Sequence, residues 1–285
     1  QVSFLGNWAV QVNNSIRYSE QKSPVWHFDH TDRIALIQDS GISLTYRELH
    51  RYGQQIAENI PHRCLVFSLC TNSAGSIAGY TGFLNHHIVP LLLSSNLDIS
   101  LLNALIKTYQ PAFIWAPQNM GDVLPGRAVF SALDYTLLRT DFEKSYPLHP
   151  DLALLLTTSG STGSPKLVRQ SYRNIQSNTK AIVQYLELDE NERAVTTLPM
   201  NYTYGLSIIN SHLYCGATLL LSGAPVFDRR LWDFFNAHQG TSFGGVPFTY
   251  EMLDKTGFFR LSLPTLRTMT QAGGKLPVEL QKKFV

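Results

Sequence analysis

Short, nearly unbroken apolar runs alternate with helix-patterned segments along most of this chain, and few architectures accommodate that alternation. Cys64–Leu69, Ile88–Leu93, Leu152–Leu156 and Ala217–Leu221 carry almost no polar side chain. Strands buried on both faces read this way, because a parallel sheet covered by helices has no solvent side. Phe113–Trp115, Arg193–Leu198, Ser242–Val246 and Leu266–Thr270 read as further strands. Helical periodicity fills the intervals. Thr45-Tyr46-Arg47-Glu48 is a capping box that opens a helix running to about Ile60, with Leu49, Tyr52, Ile56 and Ile60 on one face. Others are expected over 74–85, 172–186, 206–213 and 229–238, and one capped near Asn96–Ser100 carries Leu101, Leu105 and Tyr109. Shorter helices start at Pro247 and Pro277, since proline suits the first helical turn. Residues 117–150 are richer in Pro, Gly and polar residues and read as short strands with a crossing segment. The pattern predicts an α/β fold of two stacked subdomains with largely parallel sheets, residues 1–149 and 150–285.

Bulk composition excludes several classes. The net charge is +2 with no block of like charges, which gives nucleic acid or an anionic membrane nothing to grip. Only 15% of residues are charged, below the usual level of about 25%, which points to extensive burial or a covered partner surface. Three widely spaced cysteines, Cys64, Cys70 and Cys215, do not make a disulfide framework and fit a reducing compartment. No run approaches the ~20 apolar residues that span a bilayer. The expectation is a cytoplasmic protein. His86-His87 reads as a polar pair closing a helix, because neither Cys-x-x-Cys nor His-Glu-x-x-His spacing accompanies it.

Thr157-Thr158-Ser159-Gly160-Ser161-Thr162-Gly163-Ser164-Pro165-Lys166 carries the chemistry. Glycines let a backbone curl so that its N–H groups face an anion, hydroxyls add donors, and Lys166 supplies a compact positive charge. A Walker loop is excluded by count: starting from Gly160, Pro165 stands where the second glycine belongs and Leu167 where the hydroxyl belongs. Leu167-Val168-Arg169-Gln170 reads as strand, so no helix N-terminus meets the phosphates. The segment also lacks the Gly-x-Ser-x-Gly pattern of a nucleophile elbow, which argues against a serine hydrolase there. A flexible Ser/Gly/Thr linker would rarely lie between two apolar strands and end in Pro-Lys.

This stretch resembles the phosphate-loop signature of the adenylate-forming superfamily, which includes acyl-CoA synthetases, aryl-acid ligases and the adenylation domains of peptide synthetases. Further matches run in order along the chain from about Asp32. They include Asp32–Leu36 with Leu44–Leu49, Arg173-Asn174, Pro199–Leu206, Gly216-Ala217-Thr218, Gly245-Val246-Pro247 and Ala272–Pro277. The resemblance implies that Thr158, Ser159, Gly160, Ser161, Thr162, Gly163 and Lys166 cradle the phosphates of ATP. Gly273, Gly274 and Lys275 would line the adenine side through backbone atoms. Tyr202, Tyr204, Gly205, Gly245, Val246 and Pro247 would wall an acyl pocket.

The implied reaction is attack of a carboxylate on the α-phosphorus of ATP, with Mg²⁺ on the phosphates and CoA or a phosphopantetheine carrier thiol as the later acceptor. The implied partners are a small carboxylic acid and an acyl carrier protein. Residues 199–210 contain no acidic side chain to pair a substrate ammonium, which favours a fatty or aryl acid over an amino acid. Two positions depart from the pattern: Leu167, where many members carry glycine, and Tyr202, where many ligases carry histidine. The superfamily's later motifs, including those of its C-terminal lid domain, do not occur within these 285 residues. The expectation is therefore an N-terminal portion with incomplete turnover, its remainder supplied in cis or in trans. The alternative is a nucleotide- or acyl-binding module without catalysis.

Overall fold

The computed structural model describes residues 2–4, 26, 31–157 and 166–284. In chain order the strands are β1 (Val2–Phe4), β2 (Ile34–Gln38), β3 (Ser43–Thr45), β4 (Leu65–Cys70), β5 (Val89–Ser94), β6 (Phe113–Pro117) and β7 (Arg127–Ala132). They continue with β8 (Tyr135–Arg139), β9 (Leu152–Thr157), β10 (Leu167–Ser171), β11 (Arg193–Thr196), β12 (Thr218–Leu221), β13 (Ser242–Gly245) and β14 (Thr268–Gln271). The helices are α1 (Tyr46–Glu58), α2 (Ala74–Asn85), α3 (Ile99–Tyr109), α4 (Tyr172–Leu186), α5 (Thr203–Tyr214), α6 (Arg229–Ala237), α7 (Pro247–Lys255) and α8 (Val278–Lys283).

The strands form two seven-stranded sheets, ordered β1-β14-β13-β11-β12-β2-β3 and β10-β9-β5-β4-β6-β8-β7. In the first, every pair is parallel except the hairpin β2–β3. In the second, β9, β5, β4 and β6 are mutually parallel, with antiparallel strands added at both edges. This is the largely parallel α/β architecture that the apolar runs predict.

Alternation along single strands sorts the molecule into layers. Val66, Leu92 and Trp115 point into a central core shared with Leu49 of α1, Tyr80 of α2, Ile209 of α5 and Leu219 of the other sheet. Their neighbours Phe67, Leu91 and Ile114 point outward, beneath Leu102, Leu105 and Ile106 of α3. On the far side Val195, Leu220, Phe243 and Met269 meet α6, α7 and α8 through Leu231, Tyr250 and Leu280. Helices α1, α2 and α5 therefore lie between the sheets. They are pinned there by buried polar contacts: Tyr80 Oη donates to Asn210 Oδ1 at 2.9 Å, and Tyr46 Oη to the Ala217 carbonyl at 2.7 Å.

The sheets do not divide the chain at 149/150. Strands β2 and β3 precede that point yet extend the sheet of β11–β14, while β9 and β10 follow it and extend the sheet of β4–β8. Local apolar pattern marks each strand but carries no information on its sheet partner, which is why a division by sequence order misplaces these two hairpins. Among the described residues no helix is long and apolar enough to cross a membrane.

Candidate active site

Three loops converge at the C-terminal ends of adjacent parallel strands, the edge where open α/β sheets bind ligands. After β11 the chain turns through Pro199 to Tyr202, whose N–H donates to the Pro199 carbonyl at 3.0 Å, and α5 begins. Tyr202 is the N-cap and is exposed, whereas Tyr204, in the first turn, is buried. Gly205 is needed where it stands, because a Cβ there would collide with the carbonyl oxygens of Leu198 and Pro199. After β13 the chain passes through Val246 into Pro247 at the start of α7, with Thr249 N–H donating to the Val246 carbonyl at 2.8 Å. After β14 come Gly273, Gly274 and Lys275, all exposed.

These loops touch. Gly273 has φ +85°, and a Cβ on it would sit 2.5 Å from Tyr202 Oη and 3.3 Å from Val246 Cγ1. A Cβ on Gly274 would sit 3.1 Å from Pro247 Cγ. Gln271 is buried and its Nε2 donates to the Gly274 carbonyl at 2.8 Å, which fixes the turn. The end of β14 is held from both faces: Tyr204 Oη lies 2.7 Å from Thr270 Oγ1, and Tyr250 Oη donates to the Thr270 carbonyl at 2.7 Å. Burial pushes the Tyr204 phenol up to about 12, more than its hydrogen bonds to Thr270 and Gly245 lower it, so it stays neutral.

The second sheet presents its parallel strand ends to the same crevice. Asn72, in the turn after β4, donates from Nδ2 to the Thr196 carbonyl at the end of β11, 3.3 Å away. Thr157 and Leu167 are register partners at the end of β9, so Lys166 immediately precedes the return strand; it is exposed. Thr158, Ser159, Gly160, Ser161, Thr162 and Gly163 lie outside the described residues. The strand β10 that follows Lys166, with α4 beginning only at Tyr172, agrees with the exclusion of a Walker loop. Along this edge the side-chain oxygens Asn72 Oδ1, Thr197 Oγ1 and Asn201 Oδ1 are buried without a hydrogen-bond partner among the described residues. Buried polar atoms are rarely left so, and a polar ligand in the crevice would satisfy them.

The family profile of AMP-binding enzymes matches residues 26–285. The chain belongs to the AMP-binding enzyme family. This family member is 29% identical over 139 residues to a long-chain-fatty-acid–CoA ligase of Bacillus subtilis, an alignment covering 47% of this chain and 24% of that protein. It is 24% identical over 272 residues to a 3-hydroxybenzoate–CoA/4-hydroxybenzoate–CoA ligase of Thauera aromatica, covering 85% of this chain and 52% of the relative. It thus spans between about a quarter and a half of these curated relatives. Among solved structures, apo MatB from Rhodopseudomonas palustris superposes with a TM-score of 0.73 at 19% identity, over 90% of this chain and 55% of that one. The o-succinylbenzoate CoA synthetase MenE of Bacillus subtilis, solved with its acyl-adenylate intermediate, gives 0.70 at 20% identity, over 88% and 53%. At such identities the likeness is one of fold.

This family member carries features that motif reading passes over. Gly244 lies one residue before the Gly245-Val246-Pro247 turn, and a Cβ on it would meet Ile208 Cδ1 at 2.6 Å and Tyr204 Oη at 3.0 Å. It is thus a point of close approach between β13 and α5, beside a cavity lined by Tyr204, Ile208, His212, Ser242 and Thr270. Its sequence signal is the paired glycine before the turn. Among the described residues no group of three or more His, Cys, Asp or Glu side chains comes together to hold a metal ion. Mg²⁺ commonly binds through substrate phosphates with few protein ligands, so such a site would depend on ATP itself.

Proposed function

We propose that this chain binds ATP and a carboxylic acid, without full turnover of its own, as part of an enzyme that joins them as an acyl-adenylate for later transfer to the thiol of CoA or of an acyl carrier protein. A carboxylate oxygen attacks the α-phosphorus, the bond between the α-phosphorus and the bridging oxygen breaks, and pyrophosphate leaves with the electron pair. Chemistry of this kind asks the protein mainly for positioning and charge stabilisation. The observation that carries the reading is the convergence of the Tyr202, Val246-Pro247 and Gly273-Gly274 loops at one strand edge, where added Cβ atoms would fill the space. In this reading Gly273, Gly274 and Lys275 face the adenine, and Lys166 with Thr158–Gly163 faces the phosphates. Tyr202, Tyr204, Gly205, Gly245, Val246 and Pro247 face the acid. Mg²⁺, when bound, supplies positive charge to the phosphates.

Isothermal titration with Mg-ATP tests the reading. A charge-assisted hydrogen bond contributes about 1.5–3 kcal/mol, so Lys166→Ala is expected to weaken ATP binding by about tenfold or more. A folded sample that binds no ATP, or a variant that binds it as well as the parent, overturns the assignment. Pyrophosphate release measured beside the titration separates an activating enzyme from a binding module without catalysis.

A further inference from the structure

The crevice at the strand ends has a floor on its α5 side. The last pair of the β13–β14 ladder is Gly245 and Gln271, and the pair beneath it is Gly244 and Thr270, one residue or about 3.3 Å down the strands. Side chains leave a strand on alternate faces, so these two rungs meet different neighbours. A Cβ on Gly244 would point toward α5 and sit 2.6 Å from Ile208 Cδ1, 3.0 Å from Tyr204 Oη and 3.3 Å from Thr270 Oγ1. A Cβ on Gly245 would point the other way and sit 2.8 Å from Thr249 Cγ2 and 3.2 Å from Tyr250 Cε2. Glycine at both positions therefore opens no slot. The space released by the missing side chains is already filled from α5 on one face and from α7 on the other.

The filling from α5 is fixed in place. Tyr204 is buried, its hydroxyl lies 2.7 Å from Thr270 Oγ1, and the same hydroxyl is hydrogen-bonded to the Gly245 backbone. Swinging the ring aside would break both bonds and leave buried polar atoms without partners, which costs more than the bonds themselves contribute. Ile208 follows Tyr204 by four residues on α5, so the two side chains stand next to each other on one helix face.

Resting on the functional reading above, which puts the acid at these strand ends, we propose that Tyr204 and Ile208 limit the substrate to short aliphatic acids of about two to four carbons, because the tail has one strand residue of depth. A carboxylate held beside the Gly273-Gly274 turn has only the last rung for its tail before the Tyr204 hydroxyl and Ile208 Cδ1 stop it. A longer chain or an aryl ring would have to displace one of them or turn back into solvent. Forcing extra methylenes into a filled site costs more than their burial returns. Of the fatty and aryl acids that the sequence leaves open, the floor admits the shortest of the first and none of the second.

The test titrates the 285-residue chain with acetate, propanoate, butanoate, hexanoate, octanoate and benzoate in the presence of Mg-ATP, reading dissociation constants by calorimetry. The tightest of the three short acids is expected to bind about tenfold or more tightly than hexanoate, octanoate and benzoate. Ile208→Ala removes the blocking methyl group, and Tyr204→Phe removes the two anchoring hydrogen bonds. Each, checked by circular dichroism for native structure, is expected to move the hexanoate-to-propanoate affinity ratio several-fold toward hexanoate. Thr249→Ala trims the opposite face of the same strand end and is expected to leave that ratio unchanged. Hexanoate, octanoate or benzoate bound as tightly as the short acids overturns the proposal. So does a ratio that neither α5 variant moves, or one that Thr249→Ala moves as far. Should both α5 variants fail to fold, the parent's order of affinities alone decides. Equal acid affinities with Mg-ATP bound defeat the proposal and leave the activation reading standing. A short-acid preference in a chain that binds no ATP does the reverse, and binding of no acid overturns both.

Discussion

Gly273 shows how one backbone angle joins two loops of the candidate site. Its φ of +85° lies in the region that L-residues enter only at a cost, and its missing Cβ leaves room for the Tyr202 hydroxyl, which would lie 2.5 Å from a Cβ placed there. Gly273→Ala therefore combines two penalties of unequal weight. Tyr202 is exposed and its hydroxyl is the far end of a side chain that can swing, so the steric part is cheap. The backbone strain is not. The expected loss is about 1–2 kcal/mol in urea unfolding, with weaker ATP binding. Adding Tyr202→Phe should recover little stability; near-complete recovery would show that the clash, and not the angle, dominates. The glycine pair is legible from sequence because it precedes Leu276-Pro277 and follows an apolar strand. Gly244 and Thr270 are not, since their roles arise only when α5, packed on β11 and β12, reaches Gly244 and Thr270 with the Ile208 and Tyr204 side chains, and no local spacing encodes that packing.

At the scale of elements, helix α1 is the clearest case in which local sequence dictates local structure. Thr45 accepts from the Glu48 N–H at 3.2 Å, and Glu48 Oε2 accepts from the Thr45 N–H at 2.9 Å, closing the box that the Thr-Tyr-Arg-Glu pattern predicts. Leu49 and Ile56 are fully buried, so the apolar face of the helix was readable too. Thr45→Ala is expected to cost about 1 kcal/mol at neutral pH. The hydrogen bonds from the Thr45 backbone and side chain hold the Glu48 carboxyl below its ordinary value. A depressed folded value means stability that is complete above the ordinary carboxylate range and lost as pH falls through the lowered one. The difference between parent and Thr45→Ala in chemical unfolding should therefore shrink in acid, and a difference independent of pH would remove Glu48 from the account. Pairing between strands is a different matter. The β9 run is as apolar as those of β4 and β5, and nothing in it announces that it lies beside β5 and not beside β11, which follows it.

That exchange of strands governs how the whole molecule should unfold. Cutting the chain at 149/150 would strip β5 of its neighbour β9, leaving a buried parallel strand as an edge, and would leave β2 and β3 without β12. The central core would be opened as well, since Leu36, Tyr80 and Trp115 come from one side of the cut and Leu154, Ile209 and Leu219 from the other. The Tyr80–Asn210 and Tyr46–Ala217 hydrogen bonds cross it too, so each half would carry exposed apolar surface and orphaned polar groups. The prediction is that residues 1–149 and 150–285, expressed apart, show no cooperative urea transition, whereas the intact chain shows one. Single-tryptophan variants give the decisive measurement. Trp115 reports the central core and Trp232 the outer face of the other sheet, beside Phe235, Phe243 and Phe258. If the two sheets form one cooperative unit, the midpoints from variants retaining only Trp115 or only Trp232 should coincide, after correction for each variant's stability, with the midpoint from far-ultraviolet circular dichroism of the same variant. Separate midpoints, or a cooperative transition in either isolated half, would show instead that each sheet holds its own layer of helices independently of the strands it borrows.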